Sequence, residues 1–531
     1  MNWLDWVVAA VSPTRGLARA QARAMTDRVV RAYEAGKMMP RGREWPASSR
    51  GPNAEVGPAL RYLRRRAREV VRDGSYGARA IQIRVAHEIG YGIAPRSKTG
   101  DDQLDTRVLD LWDRWSAKAD LHGRLNVYGL QALAARTRAE SGEALVRLVR
   151  LPPAEARREG IPVPLQLEVL EPDLLDDAVQ MFGPVEADPV RSVDGVEFDS
   201  RGRRTAYRLL RQHPGENAAA FYTTAGPRYD RIPATDMIHL VRAHAQRPGQ
   251  VRGVPDAATV LLRLRRLEEF EEATLEQAKV QALLGVFTVT PNPLEMDMGQ
   301  GGVPAEVPDR AMPTDLWPGM VSNLPIGSDV KFLQPSGPGP FEPFALHELM
   351  AIASGFRVTY DQLTGDLRQA NYSSLRAGKI EFRRDVEQDQ ELMHIPMLCG
   401  PIWEAFIQAA VVSGALPERP GGYPVEWAPP RFEMVDPTRE LPALVASVRA
   451  GLETWQQAVT SMGYDPKRQA DEIAAANKLH DDRGIILDSD PRRISNSGGA
   501  QSPQQNAAIE IGATGAARPR RPGEVPPNDE A

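Results

Sequence analysis

From Asp256 to Leu284 the sequence holds one helical pattern, with Val260, Leu264, Leu267, Ala278 and Ala282 on a single face. Pro255 suits a first helical turn, and Asp256 is favourably placed near the positive end of the dipole. At about 1.5 Å per residue the helix would be roughly 43 Å long, more than a small domain needs to close its core. Glu268, Glu272 and Glu276 stand at four-residue steps opposite the apolar stripe. Like charges at that spacing typically cost about 0.2 to 0.5 kcal/mol per pair, so the row does not serve local helix stability. Arg265 and Lys279 offset part of it, which leaves an ordinary solvated face as the alternative to a functional one.

A second helical run, Phe344 to Ile352, leads into a polar loop, Tyr360 to Ser374. Gly365 tolerates positive φ there, and Asn371 and Ser373 are able to cap a following helix, so a helix is predicted to restart near Ser373. Leu375, Ile380, Phe382, Val386, Leu392, Ile395 and Leu398 continue it, with Pro396 and Pro401 predicted to kink or interrupt it.

Before these helices lies alternating material. A helix is predicted over Ala54 to Arg72, carrying Arg61, Arg64, Arg65, Arg66, Arg68 and Arg72. Those arginines read either as a phosphate-facing surface or as a solvated face paired to carboxylates. A helix ending near Gly90, a short strand, and a helix from Leu104 to Trp115 follow. The stretches EALVRLVRL, VPLQLEVLEPDLL, VEFDSRGRRTAYRLL and DMIHLV read as strands, with a hairpin turn at Asp199 to Gly202. After the long helix, two strands around a Gly- and Pro-rich excursion occupy 286–340, and near the end a strand precedes further helices. The first fifty residues read as an extended arm, and the composition after about Asp488 reads as a disordered tail.

At 531 residues the chain is too long for one core. Its 65 Lys and Arg against 70 Asp and Glu exclude a globally basic coat for nucleic acid. One cysteine, Cys399 in apolar company, excludes an internal disulfide framework and reads as a buried structural thiol. Trp3 to Val11 carries an aspartate and lacks a basic flank, so it makes a poor signal peptide and is too short for a bilayer; no later segment reads as a span.

Motifs for chemistry are missing. There is no G-x-x-x-x-G-K-[ST], H-E-x-x-H or G-x-S-x-G, and His87-Glu88 and His347-Glu348 lack the second histidine of a zinc site. His239 and His244 read as satisfied or exposed histidines, and His480-Asp481-Asp482 as a solvated helix end. The residues therefore point to no catalytic activity, no cofactor and no metal.

Four stretches resemble the lambda family of phage portal proteins: the arm with Tyr33 and Trp45; Arg247-Pro248-Gly249-Gln250-Val251-Arg252-Gly253-Val254-Pro255; Tyr360 through Arg376; and Val435-Asp436-Pro437 followed by Gly451-Leu452-Glu453-Thr454. Two departures are visible. Phe356-Arg357 stands where the family tends to have a small residue and glycine, and Arg439 replaces the usual lysine after Asp-Pro.

The resemblance implies an α+β, multidomain portal fold with an α+β wing, long stem helices, a small β-containing clip and a helical C-terminal part. The divisions it implies are an arm (1–50), wing (51–250), stem helix (251–285), clip (286–340), second stem helix (341–357), tunnel loop (358–374), long kinked helix (375–414), wing end and crown (415–487) and tail (488–531). It further implies a dodecameric ring in the virion, at one capsid vertex, assembled in the host cytoplasm. Its partners would be double-stranded DNA in transit, the major capsid protein, the terminase packaging motor and head–tail connector proteins, with no membrane. Gly365, Asp366, Leu367, Arg368, Gln369, Ala370, Asn371, Tyr372 and Ser373 would approach DNA, and Glu268, Glu272 and Glu276 would line the channel. Another capsid-associated structural protein, for head completion or scaffolding, and an unrecognised hydrolase are the competing readings.

Overall fold

The computed structural model describes residues 49–176, 191–216, 229–282, 286–288, 321–323, 341–368 and 372–487, less single positions at 431, 433, 435, 463, 465 and 486. The expected arm and tail, most of the clip segment and Gln369 to Asn371 lie outside these residues.

A three-stranded antiparallel sheet organises the body. Its strands are β2 (Glu143–Arg150), β3 (Leu165–Leu170) and β8 (Met237–Val241), in the order β3-β2-β8. Alternation along β2 sends Ala144, Val146 and Leu148 into one core and Leu145 into another, as the period of two requires. The first core is closed by helices α3 (Asp102–Ser116), α4 (Val127–Ser141) and α10 (Gly400–Val412). Its aromatic centre is Trp112, Trp115, Trp403 and Phe406, with Trp112 ring centroids 5.0 Å from Trp115 and 5.4 Å from Trp403. The indoles are satisfied: Trp115 donates to the Leu165 carbonyl at 2.8 Å and Trp403 to that of Tyr423 at 3.0 Å.

Opposite lies a four-stranded meander, β4 (Arg191–Val193), β5 (Val196–Phe198), β6 (Arg204–Leu210) and β7 (Tyr229–Pro233). The turn at Asp199 to Gly202 forms as expected. Asp194 and Gly195, both at positive φ, join β4 to β5 in a two-residue hairpin that had no counterpart among the predicted turns. A further antiparallel pair joins β1 (Ala94–Ser97) to β11 (Val425–Ala428) across most of the chain.

The second body of apolar residues is helical. It unites α1 (Pro52–Asp73), α2 (Ser75–Glu88), α6 (Leu261–Ala282), α7 (Phe341–Phe356), α8 (Tyr360–Thr364) and α9 (Tyr372–Asp389). A Cβ on Gly355 would meet Val260 Cγ1 at 2.2 Å, so the end of α7 crosses close to the start of α6. Phe270 stacks on Phe341 and meets Phe344 edge-on, with centroids 5.5 and 4.8 Å apart. These contacts make α6 and α7 antiparallel.

Several expectations need correction. The predicted long helix starts with a 3-10 turn over Asp256–Thr259 and becomes α-helical at Leu261. Among the described side chains of its apolar stripe, Val260, Leu264 and Leu267 are core while Ala278 is exposed. The predicted loop contains the short helix α8. The prolines break nothing: Leu375–Val412 runs on as one helix, with Pro396 inside a π-helical stretch, Gln390–Cys399, and Pro401 in the first turn of α10. A widened turn leaves room for the ring that a regular α-helix would exclude. That continuous helix is long and apolar enough to cross a membrane, although the sequence reading, breaking it at the prolines, found no such segment. Val386, Met393, Leu398, Ile402, Trp403 and Phe406 spend its apolar surface on the two cores. Downstream, α11 (Pro437–Arg449), α12 (Trp455–Ser461) and α13 (Pro466–Arg483) complete the described chain, and β9 (Val286–Thr288) pairs in parallel with β10 (Val321–Asn323).

Candidate functional site

The segment after α7 is held by capping chemistry. The Thr359 amide donates to Gln362 Oε1 at 3.0 Å, and Gly365, at φ 73°, closes α8 by donating to the Asp361 carbonyl at 2.8 Å. Leu363 is buried beneath it, and Arg79 Nε donates to the Gln362 carbonyl at 2.6 Å. Beyond Gly365 the chain becomes polar and exposed. Asp366 accepts from Arg368 and from the Tyr360 hydroxyl at 3.3 Å, while Leu367 stands 61% exposed between them. Tyr372 and Ser373 open α9.

Arg357 begins the segment at φ 58°, in the left-handed region where a side chain is strained. This is the position where the family resemblance anticipates glycine. The amides of Arg357 and Val358 cap α7 by donating to the Ser354 and Ala353 carbonyls at 3.1 and 3.0 Å. The guanidinium reaches Asp385 at 3.2 Å and lies 3.7 Å from Asp389.

Those aspartates belong to a buried charge network beneath the segment. Glu88, fully buried, accepts from Arg84 at 2.8 Å, Arg138 at 3.1 Å and His394 at 2.8 Å. Burial by itself would raise its carboxyl, but Arg84, Arg138 and His394 hold it well below the usual carboxylate range. Arg138 also donates to both oxygens of Asp256 at 2.8 Å, which ties the start of the α6 region to α4. Arg84 bonds Asp385 and Asp389 as well, and Arg242 Nε donates to Asp389 at 2.8 Å. Burial, with Arg138 adjacent, lowers Arg242 to about 10. Burial likewise lowers His394, and its Nδ1 has no partner among the described residues, so the ring is neutral and donates from Nε2.

A second buried carboxylate anchors the Arg247–Pro255 stretch. Glu143 pairs with Arg64, with Arg252 at 2.6 Å and with His239 at 2.8 Å, and it accepts the Gly253 amide at 2.8 Å. Gly142, at φ 91°, lies against Gly253 so closely that a Cβ on Gly253 would sit 2.0 Å from the Gly142 oxygen. Arg247 pairs with Glu55 at 2.6 Å, and Asn53 bonds both Gly249 and Val251.

The arginine run of α1 divides between the two readings. Arg64 and Arg68 are paired inward, the latter to Asp173 and Glu171, whereas Arg65 and Arg66 are exposed. Glu171, Asp173 and His213 could offer ligand atoms within 4.8 Å of one another, but Arg68 already holds both carboxylates. Of the glutamate row, Glu268 lies 3.9 Å from Arg265 and Glu276 bonds Lys279 at 2.7 Å, while Glu272 is exposed. The row is thus partly neutralised.

Sequence reasoning missed Glu88, Arg138, Arg242, Asp389 and Glu143 as organising residues. Apart from the Arg84–Glu88 step of four, their partners lie far off, up to 306 positions away, where no local spacing could reveal them. The one signal was the Arg252-Gly253 pair inside the family-like stretch.

The described residues form an α+β body of helices and small sheets, with a capped polar segment beside an antiparallel helix pair. Residues 39–390 match the family model described as phage portal protein, lambda family, and the chain belongs to that family. It is 28% identical over 432 residues to the probable portal protein of Halomonas phage phiHAP-1, covering 77% of this chain and 78% of that relative. Looser likenesses occur among solved structures. The virion of a native gene transfer agent particle contains a chain matching at TM-score 0.38 and 15% identity, over 77% of this chain and 94% of that one. The neck of the native particle, computed with C12 symmetry, gives 0.37 and 16% over the same shares.

Proposed function

We propose that copies of this chain close into a dodecameric ring at one capsid vertex of the virion, around a channel through which double-stranded DNA enters and leaves. The family match over 39–390 carries this reading. The α6–α7 pair supports it. After Leu267 the helix α6 leaves the buried core, and Leu262, Leu275, Phe344 and Met350 are exposed on the two helices. Neighbouring subunits in a ring would cover these side chains.

In this arrangement α6 and α7 form the stem, 286–340 the clip, and the segment from Val358 to Ser374 the tunnel loop, with Glu268, Glu272 and Glu276 facing the channel. The terminase motor and the head–tail connectors dock at the clip, and the major capsid protein meets the α+β body. The ring assembles in the host cytoplasm. It carries out no catalysis, as suits a structural family.

Light scattering and negative-stain imaging of the purified full-length chain test this. Closed rings with an open axial channel are expected. Only a 58.4 kDa monomer at micromolar concentration and physiological salt would remove the reading, and a closed shell or rod would favour a scaffolding role.

A further inference from the structure

The exposed end of the loop carries one cation among its described residues, and it is already engaged. Arg368 donates from Nε to Asp366 Oδ1 at 3.0 Å and from an Nη to Oδ2 at 2.9 Å, a parallel two-point pair. The Arg368 amide donates to Oδ1 at 3.0 Å, and Glu342 lies 3.6 Å from the same guanidinium. From its other side Asp366 is fixed by Tyr360, and its own amide donates to Thr364 Oγ1 at 3.1 Å. Bonds from the Arg368 side chain and then its amide draw the Asp366 carboxyl down to about 2.

A guanidinium fork fits carboxylate and phosphate alike, because both offer two oxygens at the same spacing. Arg368 stands 76% exposed, so a passing backbone could reach it, whereas Asp366 is 22% exposed and held in place. We propose that Asp366 acts as an internal decoy for phosphate, occupying Arg368 and so preventing the loop from gripping DNA. The proposal rests on the placement of the loop beside the channel. A cation neutralised by a fixed carboxylate releases no counterions on meeting DNA, and hence adds no binding well. An exposed pair is weak and dynamic, so the carboxylate must be close in the chain, here two residues away, and preset to keep its advantage. The Tyr360 and Thr364 bonds provide that presetting.

Duplex DNA binding to assembled full-length protein, followed by fluorescence anisotropy across a salt series, tests the idea. Asp366→Asn keeps the shape but removes the charge. It should tighten binding at low salt by about tenfold or more and steepen the log–log salt dependence by roughly 0.9 for each phosphate neutralised. Arg368→Gln alone should change little, and the double variant should return to the parent. Leu367→Lys adds an unpaired cation between them and reports independently on whether the loop meets DNA. Tighter binding by Leu367→Lys with none by Asp366→Asn overturns the decoy and keeps the loop placement. A double variant as tight as Asp366→Asn also overturns it, since loss of negative charge would then act without Arg368. No response to both Asp366→Asn and Leu367→Lys removes the loop placement itself. Light scattering on each variant checks that the assembly is that of the parent.

Discussion

His394 Nε2 lies 2.8 Å from Glu88 Oε2, joining the π-helical stretch to the end of α2 across 306 positions of sequence. Both residues are fully buried, and the same carboxylate holds Arg84 and Arg138. Removing its charge leaves two buried guanidinium groups short of a partner. Glu88→Gln should therefore cost about 3–5 kcal/mol in urea unfolding, the usual penalty for breaking one side of a buried ion cluster.

Acid should weaken the fold through the histidines before the carboxylates titrate. His394 and His239 are both lowered from the ordinary 6.5, first by burial, against the opposing pull of Glu88 and Glu143; Arg138 and Arg242 also lower the former, Arg204 and Arg252 the latter. The unfolded chain takes up these protons first. Stability is then full above 6.5 and falls as pH drops below it toward the lowered folded values. Unfolding midpoints between about pH 7 and 5.5 should decline in the parent and flatten when both histidines are replaced by Gln.

Arg357 separates backbone strain from charge. Its left-handed φ of 58° costs roughly 1–2 kcal/mol for a residue with a side chain. Asp389 keeps Arg84 and Arg242 when Arg357 is lost, so no carboxylate is orphaned. Arg357→Gly should therefore be more stable than Arg357→Ala by about 1 kcal/mol in thermal or urea unfolding. Equal stabilities would mean that the strain is relaxed elsewhere.

Gly253→Ala should be among the most damaging small substitutions. Its Cβ would fall 2.0 Å from the Gly142 oxygen, which is backbone and cannot swing aside. Displacement would also disturb the Arg252 and amide bonds to Glu143. Loss of more than about 3 kcal/mol, or of soluble protein, is expected.

Replacing Glu268, Glu272 and Glu276 together with Lys tests whether that face meets DNA. If it does, repulsion becomes attraction in every subunit. Assembled protein should then retain duplex DNA at low salt and release it as salt rises, with a slope steeper by roughly 0.9 for each phosphate neutralised. Normal assembly with parental DNA binding at low salt would show that the row faces elsewhere.

Local pattern carried a large part of the secondary structure. The period of two in EALVRLVRL and LQLEVL, the helical pattern from Ala54 to Arg72, and the turn residues at Asp199 to Gly202 act within a few positions, and the corresponding strands, helix and hairpin form. The positive φ at Gly365 and the helix restart at Tyr372 were legible for the same reason, because each acts on its own backbone, whereas the short helix α8 was not expected. The charge chemistry of the segment was not legible either. Whether Arg368 is free or clasped by Asp366 depends on a fold-back through Tyr360 and Thr364, and the course of 375–412 through Pro396 depends on packing that tolerates a π-helical turn.

Pairing across distance was beyond any single stretch of sequence. Arg64 and Arg66 are the same residue type on the same helix, yet one is buried on Glu143 and the other is exposed. Helical phase puts Arg64 on the buried face with Leu60, Ala67 and Val71; that it meets Glu143 there is decided by the strand that arrives opposite. The strength of a buried ion pair comes from exclusion of water by every surrounding element at once. The sequence by itself determined many of the elements, the lack of the catalytic motifs sought and the family-like stretches, because these are local properties. Tertiary structure alone decided that Glu88 would gather Arg138 and His394 and that Glu143 would anchor the Arg247–Pro255 stretch, because a carboxylate becomes a structural centre only when the fold buries it among arginines.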